Sequence, residues 1–106
     1  MDILEKLKTP GIDEGVAEFR SCPAAVLLDV RNETEYANGH IPGSVNLPLM
    51  QLPKIDEIVP DLSTPIFTYC LSGGRSRKAA AFLEEQGYTK VKNIGGINAY
   101  SGEIEE

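Results

Sequence analysis

The chain has no tryptophan, a single histidine and only two cysteines among its 106 residues. His40, Cys22 and Cys70 are scattered and too few for the convergent ligands of a structural metal site, so neither a metal nor another cofactor is expected. The cysteines lack a disulfide-framework spacing, and the first residues, Met1-Asp2-Ile3-Leu4-Glu5-Lys6, lack an apolar signal core. Both features lead to the expectation of a reducing cytoplasm. Positive charge is also scarce: ten Lys and Arg face sixteen Asp and Glu, for a net charge of −6. That balance argues against nucleic acid or an anionic membrane as partner, although Glu103, Glu105 and Glu106 make part of it a terminal effect. No apolar run approaches the length that spans a bilayer, and nothing repeats. What remains is an ordinary globular composition, 42% hydrophobic and 25% charged, with room for one domain over residues 1–106.

Along the chain, strand and helix patterns alternate. Residues 1–22 read as a helical segment: Ile3, Leu4 and Leu7 have helical spacing, and Asp13 is placed to cap a second helix through Arg20. Cys22 follows as an incidental thiol, with a resolving role as the alternative. The apolar run Ala24-Ala25-Val26-Leu27-Leu28 has the pattern of a strand buried on both faces, ending in Asp29-Val30-Arg31. Asn32 and Glu35 form a capping box that starts a short helix, which Gly39 stops. His40-Ile41-Pro42-Gly43-Ser44 turns into a strand at Val45-Asn46-Leu47, and residues 49–60 read as two short helices broken at Pro53. Ile66-Phe67-Thr68-Tyr69 is a strand running into Cys70, a helix runs from about Arg75 to Gln86, and Lys90–Ile94 is an edge or near-edge strand. This order predicts a small three-layer α/β/α domain around a mostly parallel sheet of four to five strands.

The stretch Tyr69-Cys70-Leu71-Ser72-Gly73-Gly74-Arg75-Ser76 holds the chemistry. A thiol at the carboxyl end of a strand, followed by two glycines and a helix start, faces inward-pointing N–H groups and the positive end of a helix. Arg75, Arg77 and Lys78 add positive charge to the next turn. All three features lower a thiol pKa, and a drop of about two units, roughly 2.7 kcal/mol, would make the side chain mostly thiolate at neutral pH. Cys70 therefore reads as a nucleophile in preference to a packed core cysteine. Ser72 either donates to a bound anion or satisfies a loop carbonyl. Arg75 either binds an anionic substrate or reaches back to a carboxylate and braces the loop. His40 sits in a turn and reads as its hydrogen-bonded anchor, not as a base for Cys70, while Asp29 and Arg31 read as a supporting ion pair or backbone clamp.

Together, Leu28-Asp29-Val30-Arg31 with Glu35-Tyr36, and Gly39 through Pro48, resemble the first signature of the rhodanese family. The loop from Tyr69 to Ser76 is similar to that family's active-site loop, and Lys92-Asn93-Ile94-Gly95-Gly96 with Ala99-Tyr100 to its C-terminal motif, where Trp is common at the place of Tyr100. The resemblance covers residues from about 25 to 100 and implies a single-domain thiosulfate sulfurtransferase. Carried over, Cys70 would accept a sulfane sulfur from a small anionic donor such as thiosulfate. The N–H groups of Leu71, Ser72, Gly73, Gly74 and Arg75 would cradle the resulting persulfide, and a thiol or cyanide would remove the sulfur. Asp29, Arg31 and His40 carry over as structural support.

Two alternatives accompany this reading. In one, the domain is a persulfide carrier served by a sulfur-relay protein. In the other it has phosphatase or arsenate reductase chemistry. Related phosphatases place five residues between Cys and Arg, whereas four separate Cys70 from Arg75, a smaller ring of donors than a tetrahedral phosphate needs. A catalytically silent domain of the same fold would have no use for an activated thiol.

Overall fold

The computed structural model describes residues 11–106, so the expected helix over 2–8 lies outside the described residues. The elements run α1 (Ile12–Arg20), β1 (Val26–Asp29), α2 (Glu33–Asn38), β2 (Ser44–Asn46), a 3-10 turn (Leu49–Lys54), α3 (Ile55–Ile58), β3 (Ile66–Cys70), α4 (Gly74–Glu85), β4 (Val91–Gly96) and a last 3-10 turn (Ile97–Ala99). Four parallel strands form one sheet in the order β2-β1-β3-β4. The sheet is thus fully parallel, with β2 and β4 at its edges. The chain reverses winding direction between β1 and β3, and a crevice opens at the carboxyl ends of strands on either side of such a reversal.

Side chains alternate across the sheet, as the two-residue strand period requires. Leu27, Phe67, Tyr69 and Ile94 face one side and pack with Ile12 and Val16 of α1. Leu28, Ile66 and Cys70 face the other, with Leu52, Ile55 and Val59 from the β2–β3 connection and Ala79 and Leu83 of α4. The continuous apolar run of β1 therefore feeds two cores, which is why it does not alternate in polarity. Cys70 belongs to the α4 side, and that orientation fixes where its sulfur can find donors.

Local sequence signals explain most boundaries. The Asn32 side chain accepts from Glu35 N at 2.8 Å and Glu35 Oε1 accepts from Asn32 N at 3.1 Å, so the capping box is complete. Gly87, at φ 103°, lies just past the end of α4 in the left-handed region. Asp13 departs from expectation. Gly11 stands at the N-cap of α1 without a side-chain bond, and Asp13 in the first turn accepts the Ser101 N–H at 2.9 Å and the Ser101 hydroxyl. The acid serves the C-terminal segment because that segment passes over the helix start. Residues 49–60 also differ: Pro53 lies inside a 3-10 turn, where it breaks no i→i−4 bond, so the two pieces are continuous.

Candidate active site

Cys70 ends β3 and is almost fully buried, whereas Leu71, Ser72 and Gly74 of the following loop are exposed. Gly73 takes φ +104°, a left-handed conformation that the next turn of chain needs in order to begin α4 directly. In that conformation Gly73 N–H donates to Cys70 Sγ at 3.0 Å. The helix has no side-chain cap at Gly73, and the sulfur takes that place by accepting the Gly73 N–H. Ser76, with no exposed surface, places its hydroxyl 3.5 Å from the same sulfur. Burial pushes the Cys70 thiol up, but the Ser76 hydroxyl and the N–H groups of Ser76, Gly73 and Ser72 outweigh it and leave the thiol below its ordinary value.

This corrects the charge-based expectation. The leading donors to Cys70 are neutral, and the cations of the first helical turn are engaged elsewhere or face water. Arg77 and Lys78 are exposed. Arg75 forms a two-pronged pair with Glu35, Nη1 to Oε1 at 2.7 Å and Nη2 to Oε2 at 3.0 Å. Between binding an anion and bracing the loop, the geometry here is that of a brace. Glu35 thus has two duties, since the same Oε1 closes the capping box of α2. Arg75 holds its carboxyl at about 2, with the Asn32 N–H assisting against the opposing effect of burial.

Beneath this bridge lies a second, buried pair. Arg31 Nε donates to both Asp29 oxygens at 3.1 Å and Nη2 to Oδ2 at 2.7 Å, while Nη2 also reaches the Gly39 carbonyl at 2.7 Å. Arg31 N–H bonds Asp29 Oδ1 at 2.9 Å, so the pair clamps the backbone at the end of β1. Asn46 of β2 completes the clamp through Nδ2 to the carbonyls of Asp29 and Arg31, at 3.0 and 2.9 Å. His40 is not brought to Cys70. Its Nδ1–H donates to the Tyr36 carbonyl at 2.9 Å, its ring stacks on Tyr36 with centroids 3.8 Å apart, and its backbone pairs with Glu105. Cys22 lies at the other end of the sheet, in a cavity shared with Pro65 and Ile66 at the start of β3, which sets it apart from the loop that follows Cys70.

Three residues lie within the quoted motifs without a role of their own that the local sequence assigns. Ser76 reads as an ordinary helix residue, Asn93 as a strand residue, and Tyr69 as core. Tyr69 is fully buried. Its hydroxyl accepts from Ile41 N–H at 3.2 Å and donates to Ser44 Oγ at 3.1 Å, which ties β3 to the turn ahead of β2. Gly96 matters by its size: a Cβ there would lie 2.2 Å from the Leu71 carbonyl oxygen, so the loop rests directly on the end of β4. Among the described residues no group of His, Cys, Asp and Glu could hold a metal ion, and no helix is long and apolar enough to cross a membrane.

Comparisons with known proteins agree with this architecture. The family model described as a rhodanese-like domain matches residues 13–103, beginning inside α1 and ahead of the first motif. A sulfurtransferase of Allochromatium vinosum is 42% identical over 78 residues, 72% of this chain and 71% of the relative. The thiosulfate sulfurtransferase PspE of Escherichia coli is 38% identical over 71 residues, 66% of this chain and 68% of the relative. A solved structure described as rhodanese with anions from E. coli superposes with a TM-score of 0.73 at 33% identity, covering 78% of this chain and 99% of that one. A parallel sheet with its thiol at a strand end, and matches of this extent to sulfurtransferases, lead to one conclusion: the chain belongs to the rhodanese-like family and is a sulfurtransferase.

Proposed function

We propose that Cys70 carries sulfur as a persulfide, and that residues 1–106 act as one rhodanese-like domain without a cofactor. Its thiolate attacks the outer sulfur of thiosulfate or another sulfane donor, the donor's S–S bond breaks, and sulfite or a thiolate leaves with the electron pair. A thiol or cyanide then attacks the outer sulfur on Cys70, and the Cys70 thiolate is the leaving group. The carrying observation is Cys70 Sγ at the start of α4, 3.0 Å from Gly73 N–H and 3.5 Å from the Ser76 hydroxyl. Donors fixed in advance stabilise the negative sulfur without rearranging as it forms. Backbone N–H groups of Leu71 through Arg75 cradle the outer sulfur, and Arg75, tied to Glu35, holds the loop in shape instead of binding the donor. The anions named with the E. coli rhodanese and the donor named for PspE favour a small anionic sulfur compound here. Two free cysteines fit a cytoplasmic setting.

Exposure of Leu71 and Ser72 supports a second reading, in which the acceptor or donor is a thiol on another protein. Thiocyanate formation from thiosulfate and cyanide, with intact mass after donor treatment, tests both readings. Wild type gains one sulfur and turns over, while Cys70→Ser does neither. Loading from a protein persulfide with negligible turnover on thiosulfate would select the carrier reading. Phosphate release matching thiocyanate production from the same preparation would overturn the proposal.

A further inference from the structure

The Ser76 hydroxyl has more acceptors than protons. Its Oγ lies 2.7 Å from Asn93 Oδ1, 3.1 Å from the Gly73 carbonyl, 3.4 Å from the Gly95 carbonyl and 3.5 Å from Cys70 Sγ. A serine hydroxyl donates once. Asn93 Oδ1 is the nearest of the four; the Gly73 carbonyl shares its lone pairs with Arg77 N–H at 3.1 Å and the Gly95 carbonyl is more distant, so the competition that bears on the thiol is chiefly between Asn93 and the sulfur. The orientation of the Asn93 amide is fixed by Gly95 N–H, which donates to the same Oδ1 at 3.1 Å; the atom facing Ser76 is therefore an acceptor.

The backbone is shaped to put it there. In the pairing of β3 with β4, Thr68 faces Asn93 while Tyr69 faces Gly95, which leaves Ile94 as an extra residue on β4. This is a β-bulge, a device that re-aims a side chain beside a site. Gly95 takes φ +105° to make the bulge, and the turn of chain brings both its N–H and Asn93 Oδ1 under α4.

From this geometry we infer that Asn93 is a positioning residue for the sulfur transfer: it holds the Ser76 proton while Cys70 is uncharged and yields it to the sulfur when charge develops there. The inference rests on the proposed role of Cys70 in sulfur transfer. In the persulfide the negative charge sits on the outer sulfur, and Sγ is a weak acceptor. A buried hydroxyl then needs another partner, and Asn93 Oδ1, at 2.7 Å, is the nearest. When an acceptor thiolate attacks, the S–S bond breaks and its electron pair goes to Sγ. Ser76 turns its O–H to that sulfur and keeps its proton covalently bound throughout. Asn93 never touches the reacting atoms, and its influence passes through Ser76.

The test is the pH titration of the Cys70 thiolate by its ultraviolet absorbance, in a Cys22→Ala background. Four proteins are compared: the parent, Asn93→Ala, Ser76→Ala and the double variant. The charged pair nearest the loop, Arg75–Glu35, is unchanged in all of them. Asn93→Ala frees the hydroxyl for the sulfur and shifts the thiol–thiolate equilibrium about threefold to tenfold toward thiolate. Ser76→Ala shifts it the opposite way, and the double variant matches Ser76→Ala. Asn93→Asp keeps the bulge acceptor and holds the proton harder; it disfavours thiolate more with Ser76 present than in the Ser76→Ala background. An Asn93→Ala effect that is equal with and without Ser76, or that disfavours thiolate, overturns the inference. Because the thiolate is read directly, failure of Cys70 to accept sulfur would overturn the proposed function while leaving this coupling measurable.

Discussion

The Cys70 loop lies where a Cβ at Gly96 would stand, and Gly96→Ala loads that approach. Gly96 has φ −124°, an ordinary extended conformation, so alanine meets no backbone strain there. Only space is lacking. The new methyl would sit 2.2 Å from the Leu71 oxygen, 2.6 Å from Ser72 Cα and 2.7 Å from the Leu71 carbonyl carbon, against 3.4 Å for ordinary contact. All three are backbone atoms, so the loop must retreat by about 1.2 Å, and the Asn98 N–H bond to the Leu71 carbonyl, 3.1 Å long, is stretched with it. Overpacking of this kind costs about 1–3 kcal/mol of stability. A displacement of about 1 Å at a catalytic loop costs on the order of a hundredfold in rate. The expected result is a folded protein with kcat/KM for thiocyanate formation reduced about a hundredfold, beside a modest fall in the urea midpoint. Full activity per folded molecule would refute the claim that the loop rests on Gly96 in the working state.

Two other perturbations follow from the ion pairs. With its carboxyl at about 2 against an ordinary 4.5, Glu35 contributes stability that is complete above about pH 4.5 and lost as pH falls to about 2. Since Arg75 is 37% exposed, water screens the pair and its worth is about 1 kcal/mol; Glu35→Gln should flatten that part of the urea-midpoint profile. Asp29→Ala leaves Arg31 buried without its carboxylate and should cost about 3–5 kcal/mol in urea unfolding, with Asp29→Ala/Arg31→Met recovering much of the loss.

The parts legible in the sequence are those fixed by neighbours a few residues apart. The capping box of α2 rests on residues three apart, and the strand–Cys–Gly-Gly–helix order marks the loop without knowledge of the rest of the fold. Alternation of apolar segments likewise implies a parallel sheet, because each strand needs a crossover to reach the next. What escaped reading depends on contacts between distant segments. Glu35 and Arg75 are 40 residues apart and Ser76 and Asn93 are 17 apart, and nothing in either local sequence marks the partner. Of the features expected to lower the thiol, the N–H donors of the loop were legible, and the share assigned to cations was not, for the same reason. Charge can be counted along a chain, but whether a guanidinium faces the sulfur or a carboxylate 40 positions away depends on tertiary packing. Asp13 was drawn away from its expected capping place by Ser101, 88 residues on.

The two thiols stand at opposite ends of β3, Cys22 beside its first residue and Cys70 as its last. Five residues of extended chain separate their levels by roughly 13 Å, whereas bridged cysteines bring their Cα atoms to about 4.4–6.8 Å. Cys22 is therefore out of reach of Cys70 for a disulfide. On the proposed persulfide cycle, a sulfur on Cys70 would leave only to a second molecule, and unloading would scale with the concentration of that molecule. A domain wired this way would meter sulfur by the supply of acceptors around it and keep its charge when they run out.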